Sequence, residues 1–200
     1  MRELFAVVLA SASPRRYELL TSLGLTVDVQ PSGIDEGERP GYGPRDLASL
    51  HASAKAEAGA RNRSAGVIVA ADTVVDLDGV ALGKPRTAAE AVAMLRALSG
   101  REHLVHTSYA VIDAANGRRI GASETTRVKF VPFVDGDIAA YVASGDPMDK
   151  AGAYGIQGRG AALVEWIDGD FYTVMGFPLG DFMRRLPELG YRLPAERVTA

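Results

Sequence analysis

The sequence predicts an α/β fold on a mixed sheet, and three observations carry that expectation. Short apolar runs, Phe5–Ala10 and Val67–Val75, read as buried strands. Stretches with helical spacing alternate with them, as at Leu47, Leu50, Ala54 and Ala58. Two long β-like stretches, at about 102–113 and 118–131, meet at Asn116-Gly117, a strong short-range hairpin signal. Alternating strands and helices build parallel units, and the inserted antiparallel hairpin makes the sheet mixed.

The elements follow in order. Ser13 stands where an N-cap belongs, with Pro14 at the first helical position. Leu19, Leu20 and Leu23 form an apolar stripe, Gly24 closes that helix, and Leu25–Val29 alternates as a strand does. A second helix is expected over about 44–61. Asp78-Gly79 is a hairpin signal behind the Val67–Val75 run. Thr87-Ala-Ala-Glu90 is a capping box opening a helix that ends at Ser99-Gly100. Asp135 starts another helix, which Gly145 stops. A glycine-rich stretch, a strand near Ala161–Ile167 and a final helix from about Pro178 complete the chain. No linker, charge block or repeat interrupts it, so residues 1–200 are expected to form one folding unit.

Composition narrows the function. The chain has 200 residues, 47% hydrophobic and 24% charged, the proportions of an ordinary soluble domain. It contains no cysteine, which excludes disulfides, thiolate metal sites and a cysteine nucleophile, and fits a reducing cytoplasm. The apolar run at the N-terminus is short and follows Glu3, so a buried strand suits it better than a signal peptide. No run reaches the length of a membrane span. A net charge of −3 with scattered Lys and Arg argues against a nucleic-acid partner. Small-molecule chemistry is the remaining expectation.

Four segments carry candidate chemistry. In Ser11-Ala-Ser13-Pro14-Arg15-Arg16, a strand ends in small polar residues and a helix begins with two arginines. Free backbone N–H groups and the helix dipole favour phosphate there, whereas cations normally avoid that end. A surface helix with solvated arginines is the alternative. In Ala70-Ala71-Asp72-Thr73, an apolar strand delivers a carboxylate and a hydroxyl, suited to a general base or a divalent ion. Taken alone, a turn-capping or lysine-paired Asp explains it as well. Leu82-Gly83-Lys84-Pro85 imitates a phosphate loop, but its glycine spacing is one residue short and Pro85 replaces the Ser or Thr. Lys84 is either a point charge for phosphate or a solvated turn residue. The fourth segment, Asp149-Lys150 to Gly158, is rich in glycine yet holds Tyr154 and Gln157, which favours a binding loop over a flexible connector.

Other signals are weaker. His103 and His106 lie three apart in a predicted strand and face opposite sides, so with only His51 left a histidine zinc site is not expected. No Gly-x-Ser-x-Gly elbow is present. Trp166 and the tyrosines are read as core or cleft walls. Arg15, Arg16, Lys55, Lys84 and Lys150 offer positive charge, while Glu36, Asp72 and Asp149 offer carboxylates. A triphosphate with a divalent ion needs both kinds.

At these residues the sequence resembles the Maf family of nucleotide pyrophosphatases, nearly end to end. The resemblance rests on LASASPRRYELL at 9–20, GIDE at 33–36, AADTVV at 70–75, LGKP at 82–85 and LSGREH at 98–103. It is strongest at PMDKAGAYGIQGRGA, 147–161, and continues in DGDFYTVMGFPL at 168–179. It implies an elongated, ITPase-like mixed sheet with flanking helices and two lobes around a cleft. It also implies hydrolysis of the α–β bond of a nucleoside triphosphate with a divalent cation, Mg or Mn, and a homodimer. By the same resemblance, Asp72 is the proton acceptor, and Glu36 and Asp72 hold the metal. Ser11, Arg15, Arg16, Lys55, Lys84 and Lys150 grip phosphate. Position 35 is Asp where some relatives carry Glu, so a metal ligand from this segment falls at 35 or 36. Arg15, Thr73 and Gln157 match the set of the dTTP/UTP branch, and a Gln amide both donates and accepts towards a pyrimidine edge. The resemblance thus implies dTTP and UTP as substrates, with modified pyrimidine nucleotides as further candidates; the rival readings are a 7-methyl-GTP pyrophosphatase and a nucleotide-binding regulator of cell division or septum formation.

Overall fold

The computed structural model describes residues 1–37 and 39–194. Residues 38 and 195–200, part of the unit expected over 1–200, lie outside the described residues. The strands are β1 (Arg2–Glu3), β2 (Ala6–Leu9), β3 (Thr26–Val29), β4 (Val67–Leu77), β5 (Val80–Leu82), β6 (Glu102–Asp113), β7 (Arg119–Phe130), β8 (Val164–Asp168) and β9 (Tyr191–Arg192). The helices are α1 (Pro14–Ser22), α2 (Pro44–Ala60), α3 (Ala88–Leu98), α4 (Asp135–Ala143), α5 (Phe171–Met175) and α6 (Leu179–Arg185).

The main sheet runs β3-β2-β4-β6-β7-β8, with β5 beside β4. β2 is parallel to β3 and β4, and the remaining pairs are antiparallel. This is the mixed sheet that the alternating pattern predicts, with α1 and α2 as the crossovers of its parallel part. β4 reads as a nearly unbroken apolar run because both its faces are covered, and only Thr73 and Asp76 are part-exposed.

Two cores flank a cleft. Leu9, Leu20, Phe177 and Phe182 are fully buried in the first, and Leu98 and Phe130 in the second. Each such side chain contributes about 1.5–3 kcal/mol by leaving water. β4 passes through both, giving Val69 and Ala71 to the first core and Val75 and Leu77 to the second. Val164, Ile167 and Val174 pack against both. Among the described residues no helix is long and apolar enough to cross a membrane.

Local differences from expectation have physical causes. Ser13 holds the N-cap position of α1 without a side-chain cap bond, and its own N–H instead donates to Ser11 Oγ at 3.3 Å. The capping box at α3 is shifted. Thr87 Oγ1 accepts from the Glu90 N–H at 3.1 Å, but the Glu90 carboxylate takes the Arg86 N–H at 2.7 Å. Asp78 and Gly79 both have positive φ, as a tight β4–β5 turn requires. Asn116-Gly117 lies instead in a longer loop over 114–118, where only Gly117 has positive φ and the Asp113 carbonyl accepts from both N–H groups. The strand expected at 161–167 is β8, since 158–163 form a 3₁₀ turn. The short α5 and the β1–β9 pair were not anticipated. The tyrosines divide, because Tyr17, Tyr42 and Tyr172 are exposed whereas Tyr109, Tyr141, Tyr154 and Tyr191 are buried. Trp166 lies on the edge strand β8 beneath the Arg127 guanidinium.

Candidate active site

A cleft of about 1530 Å³ opens between the two cores. Ser11, Arg15, Arg16, Glu36, Lys55, Asp72, Thr73, Lys84, Lys150 and Gln157 all line it, and so does His51.

One wall is the start of α1. Pro14 begins the helix and its first turn has no acidic residue, so the dipole's positive end stays uncompensated. Ser11 Oγ accepts from Arg16 Nη1 at 3.0 Å and from the Ser13 N–H. Both contacts use lone pairs, which leaves the Ser11 O–H free to donate. Arg16 is buried, and its fork reaches three acceptors: Ser11 Oγ, the Gly176 carbonyl at 2.9 Å and Thr73 Oγ1 at 3.1 Å. Burial lowers its pKa, against the raising effect of Asp72 and Glu36. Thr107 Oγ1 gives its proton to the Thr173 carbonyl at 2.7 Å, so the 3.0 Å contact between Thr73 and Thr107 uses the Thr73 proton. Thr73 thus spends its donor inside the wall and holds Arg16 with a lone pair.

Beside this wall, β4 and α2 assemble a buried charge cluster. Lys55 Nζ lies 2.6 Å from Asp72 Oδ1 and 3.1 Å from Glu36 Oε1. His51 sits one turn earlier on α2. Its Nδ1 is 3.2 Å from Asp72 Oδ2 and its Nε2 is 3.2 Å from the Gly37 carbonyl. Both partners only accept, so both ring nitrogens donate, as in an imidazolium. The Asp72 hydrogen bond raises the His51 pKa and outweighs burial. Burial would push the Asp72 carboxyl up, but the His51 hydrogen bond and the charges of Lys55 and Arg16 hold it below the usual carboxylate range.

The opposite rim is built differently. Arg15 Nη1 reaches across to Asp149 Oδ2 at 3.0 Å, in a solvent-exposed pair. Lys150 Nζ contacts Asp149 Oδ1 at 2.7 Å and Asp146 Oδ1 at 3.1 Å. The loop's glycines serve close packing within the protein. A Cβ on Gly152, which has φ +66°, would come within 2.9 Å of Val75, and one on Gly160 would strike the Gly155 carbonyl at 1.9 Å. Gln157 is exposed, and Lys84 has no ion-pair partner among the described residues. Tyr154 lines the cleft and its hydroxyl meets His103 Nε2 at 2.7 Å, so His103 belongs to the core beneath the rim. His106 pairs with Asp76 on a different part of β4.

Among the described residues, no group of three or more His, Asp or Glu side chains is placed to hold a metal. A cation held here would share Glu36 and Asp72 with ligands from elsewhere. The sequence motifs give His51 no role beyond that of the histidine left over from an unsupported zinc site. The available signal was its i,i+4 spacing from Lys55 on a predicted helix, which gains meaning only once Asp72 lies beneath both.

A family model described as "Maf-like protein" matches residues 6–189. A "dTTP/UTP pyrophosphatase" of Moorella thermoacetica is 49% identical over 86% of this chain and 89% of its own length. One from Geobacter sulfurreducens is 48% identical over 92% and 96%, and one from Thermococcus onnurineus 47% identical over 92% and 98%.

Proposed function

The chain belongs to the Maf family, and from that membership we propose that it is a nucleoside triphosphate pyrophosphatase acting on dTTP and UTP. The observation that carries this reading is the Asp72–Lys55–Glu36 cluster standing beside the Ser11–Arg16 wall in one cleft. Carboxylates for a cation and donors for phosphate are thereby within reach of one ligand.

A divalent cation fits the cluster. One ammonium, that of Lys55, already touches both Glu36 and Asp72, so the two carboxylates converge on one positive centre. Hard oxygen donors suit Mg²⁺ or Mn²⁺, which commonly take one or two carboxylates and complete their shell with water and phosphate. When bound, such an ion polarises the phosphates and acidifies attached water, which matches a carboxylate of low basicity.

The protein's own groups then do the following. Asp72 accepts a proton from the attacking water. The water oxygen bonds to phosphorus at the α–β anhydride, the bridging P–O bond breaks, and pyrophosphate leaves with its electron pair. The Ser11 hydroxyl, the Arg16 guanidinium, Lys55, Lys84 and Lys150 bind the phosphates and spread the charge that develops. Arg15, Thr73 and Gln157 are the specificity set, with Thr73 acting through Arg16 and Gln157 offering its amide to the pyrimidine. A cytoplasmic setting and a homodimer belong to the same reading.

The test is a panel of nucleoside triphosphates with Mg²⁺ or Mn²⁺, with pyrophosphate and monophosphate detected separately. Pyrophosphate from dTTP and UTP, with little from 7-methyl-GTP or purines, is expected. Turnover of 7-methyl-GTP alone would move the chain to the other branch, and orthophosphate release would overturn the chemistry.

A further inference from the structure

His51 and Lys55 stand one turn apart on α2, and each bridges the same two elements. Lys55 joins Asp72 Oδ1 on β4 to Glu36 in the 31–37 loop. His51 joins Asp72 Oδ2 to the Gly37 carbonyl of that loop. The two bridges are parallel, but their fates differ. The partners of Lys55 are the carboxylates that a cation needs, so this bridge must loosen when substrate and cation enter. The partners of His51 are the other oxygen of Asp72 and a backbone carbonyl, neither of which Lys55 touches. His51 is also buried, with 3% of its surface exposed, so its ring has little freedom to turn away.

We infer that His51 is a positioning residue with two duties. It fixes Asp72 through Oδ2 and so reserves Oδ1 for the reaction. It also pins Gly37, which keeps the adjoining Glu36 over Asp72. This inference rests on the pyrophosphatase reading.

Three substitutions separate the duties. An Asn amide nitrogen lies near the place of Nδ1, and a Gln amide nitrogen reaches towards that of Nε2. His51→Gln keeps the loop contact and loses the Asp72 contact, so kcat should fall at least about tenfold with KM within about twofold. His51→Asn keeps the Asp72 contact and frees the loop, so KM should rise at least about fivefold with a smaller loss of kcat. His51→Leu fills the space without either bond and should show both defects. Wild-type kinetics in His51→Leu would overturn the proposal, and so would matching losses in the Asn and Gln variants. Hydrogen exchange of the 33–37 amides gives a readout that needs no turnover. Exchange should be faster in His51→Asn and His51→Leu than in His51→Gln, and identical exchange in all three would remove the loop duty. A wild-type protein inert towards every nucleotide would sink the pyrophosphatase reading, while the exchange contrast would still decide whether His51 holds the loop.

Discussion

Arg15 and Arg16 are neighbours of the same chemistry, yet they belong to opposite kinds of cleft surface. Arg16 is buried and anchored by three acceptors from three segments. Arg15 is only partly buried and holds one carboxylate, the exposed Asp149, on the far rim. The same contrast separates Lys55, locked between Asp72 and Glu36, from Lys84, which has no ion-pair partner among the described residues. A buried cation has lost its water and depends on its partners, so it holds geometry rigidly. An exposed one can exchange its partner for a ligand at little cost. The wall is thus the expected seat of chemistry and stability, and the rim that of capture and selection.

The largest effect should come from the wall. Asp72→Asn removes the proposed proton acceptor and should lower turnover at least about a hundredfold. It also leaves Lys55 buried with one carboxylate fewer, so stability should fall by about 3 kcal/mol in denaturant titrations, and turnover is best scored per folded molecule. Undiminished turnover would remove Asp72 from the mechanism. Arg16→Lys keeps the charge but cannot reach three acceptors with one ammonium, and it should cost about 2 kcal/mol and roughly tenfold or more in kcat. A neutral result would mean that the fork is not needed.

The rim's own side chains should respond more gently than the core beneath them. That core contains His103, which burial holds down to about 4 from 6.5. The unfolded chain therefore takes up this proton first. The contribution of His103 is complete above about pH 6.5 and declines as pH falls towards 4, by about 3 kcal/mol in all. Denaturation curves across that range should lose this slope in His103→Gln, and an unchanged slope would reassign it. Gln157→Glu replaces an amide donor with an acceptor, and discrimination for dTTP and UTP should fall roughly tenfold. Arg15→Ala should raise KM about fivefold while shifting stability by less than about 0.5 kcal/mol, since an exposed pair is worth little. A larger stability loss from Arg15→Ala than from Arg16→Lys would reverse the comparison.

Much of this was legible in the sequence because local and global preferences agree. The crossovers, the long hairpin and the start of α1 each carry a cap, a turn residue or an apolar period. β1, β9 and α5 span only a few residues and leave no period to detect. The ten site residues chosen from the motifs reach one cleft, but their division into wall and rim was not readable. Arg15 and Arg16 look alike in one dimension, and only α1 packing on Gly176 and Thr73 separates them. The glycine-rich segment after Asp149 reads in sequence as a binding loop, whereas Gly152 and Gly160 are needed for the loop to close on Val75 and on itself.

The three longest strands run without a break past the cleft. β6 is paired with β4 from Val67↔Asp113 to Asp76↔Leu104, and with β7 from Glu102↔Lys129 to Ile112↔Arg119. They form one continuous hydrogen-bonded ladder under both jaws, and sliding one strand past another would break many hydrogen bonds at once. The cleft therefore has a stiff spine, and any adjustment to an arriving nucleotide falls to the lips, the segments 31–37 and 146–158.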